Sequence, residues 1–268
     1  MLPELITIGP FVLRSYGVLM AAGFGFGTWW FIRRGRARSL EPARILDLAI
    51  LVLIAGLIGA RLLYVFTHWY EFSGELWRIF WPVQPGGVVG MHGLVFYGGV
   101  IAAVPVAALV VRRWQLSPLR VLDAAAPPLA LGSAIGRMGC FLNGCCFGAP
   151  ADGAPGIVFP AGSMAGTTFP GIQLHPVQLY MIADNLLIVA FLLWIERRWA
   201  RFDGVVIGAY FVLTGLMRGF EDLFRYYEGS MQLLAVGGVV VTVNHLIGIT
   251  MAAGGVLLIV RSRSRRSD

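Results

Sequence analysis

An all-α, polytopic membrane helix bundle is the fold class this sequence predicts, and three observations predict it. Of 268 residues, 57% are hydrophobic and only 13% charged, with a mean hydropathy of +0.76; a soluble domain carries about 25% charged residues. Several apolar runs reach the roughly 20 residues that a membrane-crossing helix needs. The basic residues, all 21 of them Arg, concentrate between or after those runs rather than over one face. Four clusters hold fifteen of them: Arg33, Arg34, Arg36, Arg38 and Arg44; Arg112, Arg113 and Arg120; Arg197, Arg198 and Arg201; and Arg261, Arg263, Arg265 and Arg266.

The spans run over about 11–32, 45–66, 93–111, 121–143, 176–195, 204–220 and 241–260, about seven transmembrane helices in all. With the N-terminus outside, every Arg cluster falls in the cytoplasm with the C-terminus, as the positive-inside rule requires; the reverse orientation puts all four outside. Residues 1–10 carry no basic leader and no small-residue cleavage site follows, so the first run reads as a retained helix. No lipidation motif stands at either end. The net charge of +7 is spent on topology, and no nucleic-acid partner is expected. The tail from Arg261 to Asp268 reads as an anchor on anionic lipid.

The whole chain, 1–268, is expected to form a single integral membrane domain with two long outer segments. An outer arm at about 67–92 carries Trp69, Tyr70, Trp77 and Trp81 with Pro82 and Pro85, suited to lie partly helical at the membrane–water interface. Residues 144–175 are rich in Gly and Pro without helical period and read as an outer loop or cap. Residues 226–240 form a shorter outer piece, and no internal repeat of the transporter kind is seen.

Charges within the apolar runs carry the chemistry. Arg61, Arg137 and Arg218 lie in or at the end of spans, with Asp222 and Arg225 just beyond. A charge at the bilayer centre costs about 2.5–3.5 kcal/mol, and all three Arg lie toward the outer half. A structural reading pairs each with an acid such as Glu221 or Asp222, or with lipid headgroups. A functional reading makes them an anion site, because the guanidinium fork holds phosphate bidentately and stays charged. Gly136, Gly139 and Gly144 flank Arg137, and Asn143 adds an amide. Gly93-Leu94-Val95-Phe96-Tyr97-Gly98-Gly99 opens the third span, either as a helix-packing motif or as a substrate approach. His175-Pro176-Val177-Gln178-Leu179-Tyr180 enters the fifth, with Pro176 in a first helical turn. Cys140, Cys145 and Cys146 have spacing unlike common metal sites, so a structural thiol or a disulfide is expected and no metal. His68, His92 and His245 stand apart in sequence.

Taken together, GLVFYGG at 93–99, GRMGCFLNG at 136–144, HPVQLY at 175–180 and RGFEDLFR at 218–225 resemble the prolipoprotein diacylglyceryl transferase family. SYGVLM at 15–20 and GARLLY at 59–64 add weaker likeness, in the same order. The resemblance implies an enzyme of the bacterial cytoplasmic (inner) membrane, its active site towards the outer leaflet. It would transfer the diacylglyceryl group of phosphatidylglycerol to the lipobox Cys of a prolipoprotein, forming a thioether and releasing glycerol-1-phosphate. Its partners would be phosphatidylglycerol, prolipoprotein signal peptides and membrane lipids, and no cofactor is implied. Carried over by position, Arg137, Arg218 and Tyr97 are the catalytic candidates. The substrate-binding candidates are Arg137, Asn143, Gly98, Gly99, Arg61, Tyr16, His175, Gln178, Tyr180, Asp222 and Arg225. Departures stand at Tyr97, where some members have His, at Cys140 and Cys145, usually polar or acidic, and at Met181, Asp222 and Asn244-His245. They leave room for a divergent transferase of another lipid group. An Arg-lined anion or lipid transporter and a thiol redox protein are the readings from other classes.

Overall fold

The computed structural model describes residues 1, 4–9, 11–79, 93–199, 202–226, 232–236 and 239–264. The chain opens on an antiparallel pair, β1 (Glu4–Ile8) with β2 (Phe11–Arg14), followed by α1 (Ser15–Ala37) and α2 (Pro42–Thr67). Two 3-10 turns, Trp69–Glu71 and Leu76–Ile79, precede α3 (Phe96–Arg113) and α4 (Pro118–Asn143). A small insert, β3 (Ile157–Val158), α5 (Met164–Thr168) and β4 (Gln173–Leu174), leads to α6 (Val177–Trp199) and α7 (Val205–Asp222). A last hairpin, β5 (Gln232–Val236) and β6 (Val239–Thr242), delivers the chain to α8 (Val243–Ser264).

Among the described residues, seven helices have 18 residues or more. Four of these, α2, α3, α6 and α8, are long and apolar enough to cross a membrane. Their apolar side chains face outward: Ile101 is 68% exposed, Leu187 67% and Ile249 67%. No soluble fold leaves such stripes to water, and the protein is a membrane protein. The other three are diluted for visible reasons. Helix α1 mixes Gly and Trp into its run, α4 carries Asp123, Arg137 and two internal prolines, and α7 ends on Arg218, Glu221 and Asp222.

The ends differ from expectation where local chemistry intervenes. The first helix begins at Ser15 rather than near residue 11, because residues 11–14 are extended and paired with β1. Helices α2 and α4 begin about three residues early on Pro42 and Pro118; proline's fixed φ and missing N–H suit a first turn. The arm is partly helical through its two 3-10 turns; Trp81, Pro82, Pro85 and His92 lie outside the described residues. The 144–175 segment, called the cap below, closes a small core of its own from Phe147, Phe159, Ala165 and Leu174.

The chain divides into two compact units. The first comprises Met1–Pro3, Arg14–Phe31 and Leu122–Asp268, the second Glu4–Leu13 and Ile32–Val121. In the first, Ala126 and Ala130 of α4 pack with Ile188, Leu192 and Ile195 of α6 and with Val206, Ile207 and Ala209 of α7. Asp123, fully buried in α4, caps α7 from outside: Oδ2 accepts the Gly204 N–H at 2.7 Å and Oδ1 the Ile207 N–H at 2.8 Å. Those N–H groups have no intrahelical acceptor. Helices α7 and α8 run antiparallel with Gly215 against Gly248 and Gly208 against Gly255, so close that a Cβ on any of the four would strike the opposite helix. The second unit repeats this device, with Gly59 of α2 on Gly98 of α3 and Gly56 on Gly99. Small residues let helices approach where the apolar solvent gives no hydrophobic drive.

Candidate active site

The last turn of α7 sets the site in the first unit. The i, i+3 and i, i+4 spacing from Arg218 puts Glu221 and Asp222 on its own helix face. Arg218 Nη1 lies 3.5 Å from Glu221 Oε2, and Nε lies 3.7 Å from Asp222 Oδ1. Both carboxylates are buried, while the Arg218 side chain keeps 23% exposure. The Thr242 hydroxyl, at the end of β6, donates to Asp222 Oδ2 at 2.6 Å. His245 Nδ1 takes the Thr242 N–H at 3.2 Å and sits 3.6 Å from Asp222. An Nδ1 that accepts this N–H has no proton of its own to give Asp222, so we read the 3.6 Å approach as proximity, with Thr242 as the carboxylate's partner.

Arg137 lies half-buried on α4, within electrostatic reach of Tyr16, Cys146 and Glu221. Arg225 reaches Glu221 and Cys146 as well, and its backbone bridges to Gly148 of the cap. Asp184 of α6 faces Glu221, and its Oδ2 is buried without a hydrogen-bond partner. Three guanidinium groups, from Arg137, Arg218 and Arg225, thus act on buried Glu221, and Arg218 reaches Asp222 as well. A cluster of this kind holds an anion by charge and by the fixed fork of each guanidinium.

The remaining candidates of this unit build the walls. Gln178, with no exposed surface, donates from Nε2 to the Cys145 carbonyl at 2.8 Å. His175 Nδ1 meets the Tyr180 hydroxyl at 3.4 Å, a long contact, and both rings pack edge-on against Phe224. The His175 backbone ties the cap to α6 by donating to Ala149 and accepting from Gly148. Asn143 ends α4 beside Cys145. Tyr16, 40% exposed, packs its backbone and ring where Gly139 leaves room. Cys140, Cys145 and Cys146 are free thiols with their sulfurs within 4.8 Å of one another. The Cys146 thiol is held below the ordinary range by the neighbouring thiols of Cys140 and Cys145 and, further off, by Arg225 and Arg137, and Cys145 Sγ itself donates to the Cys140 carbonyl at 3.7 Å.

Arg61, Tyr97, Gly98 and Gly99 belong to the second unit. Arg61 takes a bracing position: Nε donates to the Ile79 carbonyl at 2.8 Å, Nη1 to Gly93 at 3.3 Å, and the guanidinium lies over Tyr64 and Phe72. Gly98 and Gly99 serve the close approach of α2 and α3. Tyr97, in the first turn of α3, is 43% exposed and stacks edge-on with Phe96.

Sequence reasoning overlooked Asp184 and Thr242 and set His245 aside. A lone acid inside the apolar run 176–195 was the available signal for Asp184. Nothing in the spacing marks Thr242, which reaches Asp222 across 20 positions through the β5–β6 turn.

Long helices with outward apolar faces define the class, a polytopic α-helical membrane protein, and its first unit holds an Arg–carboxylate cluster. Its family follows from its relatives. Residues 3–261 match the prolipoprotein diacylglyceryl transferase family. The chain is 30% identical over 247 residues to phosphatidylglycerol–prolipoprotein diacylglyceryl transferase 2 of Clostridium perfringens, covering 92% of this chain and 90% of that one. It is 31% identical over 270 residues to the corresponding transferase of Rhodospirillum rubrum, covering 97% and 92%. With the Finegoldia magna transferase the identity is 28% over 253 residues, covering 93% and 91%. The chain belongs to the prolipoprotein diacylglyceryl transferase family, and is a transferase.

Proposed function

We propose that this protein transfers the diacylglyceryl group of phosphatidylglycerol to the lipobox Cys thiol of a prolipoprotein signal peptide. The thiol sulfur attacks the glycerol carbon that bears the phosphate ester, and a C–S bond forms as that C–O bond breaks. The electron pair leaves on the phosphate oxygen as glycerol-1-phosphate, and the thiol proton passes to a base. The shared electrostatic reach of Arg137, Arg218 and Arg225 to buried Glu221 carries this reading. Fixed guanidinium groups stabilise the charge that grows on the departing phosphate without reorganising water. Asp222, itself held by Thr242, aims Arg218. His175, Gln178, Tyr180, Tyr16 and Asn143 shape the wall of the first unit's site, and Tyr97, by its place in the family motif, is a proposed substrate contact of the second unit. The role proposed for Tyr97 is contact through its hydroxyl.

The proposed topology has seven crossings in the inner membrane. The Arg residues in the last turns of α1, α3, α6 and α8 then face the cytoplasm and the N-terminus lies outside. The α4 end, the cap and the α7 end then lie toward the outer leaflet, where lipid donor and signal peptide meet. The test mixes purified protein with phosphatidylglycerol and a lipobox peptide and weighs the peptide by mass spectrometry. A diacylglyceryl increment on the Cys peptide, absent from a Cys→Ser peptide, is the expected result. No increment from folded protein would reject the reaction.

A further inference from the structure

Helix α4 breaks in a way that gathers three sulfurs. The Gly144 N–H returns to the Phe141 carbonyl at 3.2 Å and the Cys145 N–H to the Cys140 carbonyl at 3.1 Å, so the chain folds back on its last turn. Gly144 has φ +68, and a Cβ there would strike Ser163. Cys146 follows in the left-handed region at φ 59, a conformation that costs a non-Gly residue on the order of 1–3 kcal/mol. Gln178 pins the Cys145 carbonyl from α6. The outcome is a half-enclosed trio, Cys140 buried and Cys145 and Cys146 partly so, all free and all sulfurs within 4.8 Å.

We propose that Cys140, Cys145 and Cys146 form a three-thiolate site for a soft, closed-shell divalent cation of the zinc or cadmium class. Zinc–sulfur bonds of about 2.3 Å in a tetrahedral arrangement put sulfurs about 3.8 Å apart, so closing the trio moves each sulfur by less than about an ångström. Thiolate sulfur selects soft cations over the oxygen-seeking ones. Binding displaces three thiol protons to water, and three thiolates with one divalent ion leave a net charge of −1. Arg137 and Arg225, both in electrostatic reach of Cys146, balance that charge, which a neutral wall would not. The fourth position is open for water or an added ligand. The sequence spacing concealed the site, because Cys140 and Cys146 meet through a helix end and a left-handed residue rather than through a two-residue loop.

The site rests on the geometry of the first unit and not on the transfer reaction. Full-length protein in detergent, reduced and freed of reductant, is titrated with cadmium chloride. Sulfur-to-cadmium charge-transfer absorption is followed in the ultraviolet, and bound metal is counted by elemental analysis. One ion per chain with the absorption band is expected. Cys140→Ser and Cys146→Ser should each weaken binding by more than the roughly 10–100-fold typical of losing a supporting residue. A reduced wild-type protein that binds no cadmium overturns the proposal whatever the variants do. So does a band that survives replacement of all three Cys by Ser. A disulfide mass within the trio in protein taken from membranes without reductant overturns it as well.

Discussion

Arg218→Ala separates a catalytic cation from a structural brace. The change removes the guanidinium from Glu221 at 3.5 Å and Asp222 at 3.7 Å, both buried. Stripping one partner from a fully buried pair costs about 3–5 kcal/mol. Arg218 retains 23% exposure and neither distance is that of a tight hydrogen bond, so solvent screening lowers the expected loss to about 1–3 kcal/mol. Asp222 keeps its 2.6 Å bond from Thr242, which preserves the local fold. Removing a positioned charge donor at a developing anion slows the reaction by about 100–1,000-fold. Asp123→Asn is the matched control: it weakens the buried cap on α7 by about 1.5–3 kcal/mol, the worth of one charged hydrogen bond, at the other end of the same helix. Both variants are melted in detergent and assayed for peptide lipidation per mole of folded protein. Arg218→Ala should lose transfer and Asp123→Asn should keep it at equal stability loss. Parallel loss of transfer in the two variants would refute the catalytic assignment and leave Arg218 a brace.

The other predictions probe separate parts of the molecule. Arg137→Ala should abolish lipid transfer while the protein still inserts and melts near the parent temperature; full activity in that variant contradicts its phosphate role. Gly215→Leu should disrupt the α7–α8 contact, because even a Cβ at Gly215 collides with the Gly248 carbonyl, and limited proteolysis should then release α8 at lower denaturant. Tyr97→Phe, which keeps the ring and drops the hydroxyl, should slow transfer by about the 1–3 kcal/mol of one unmet polar contact with no change in melting. Tyr180→Phe loses only a 3.4 Å contact to His175, so its effect on stability should stay below about 1 kcal/mol.

The helices were legible because lipid-facing runs need no tertiary information. Composition over twenty residues locates α2, α3, α6 and α8, and the proline starts of α2 and α4 account for their shifted ends. The β1–β2 pair was not legible, since Phe11-Val12-Leu13 is as apolar as the helix it precedes. Within the site, Arg218, Glu221 and Asp222 were readable from helical spacing alone. Arg61 was legible as a charge inside a span, but its donation from Nε and Nη1 to protein carbonyls 18 and 32 positions away was not. Thr242 and Asp184 likewise depend on contacts that no local pattern encodes. The thiol trio was visible as three letters, but its proximity depends on the φ of Cys146, a property of the folded chain only.

The carboxylate that caps α7 has a bearing on biogenesis. Asp123 precedes Gly204 by 81 positions, so a chain emerging N-terminus first presents the acceptor long before the donors exist. A buried backbone N–H left unpaired costs about 1–3 kcal/mol, and α7 packed without Asp123 would carry two of them at its start. Arriving beside an α4 already in place, it finds both satisfied at once. Chain order thereby becomes an assembly instruction: α4 acts as a template, and a nascent chain stalled before Asp123 settles should hold α7 short of its final depth.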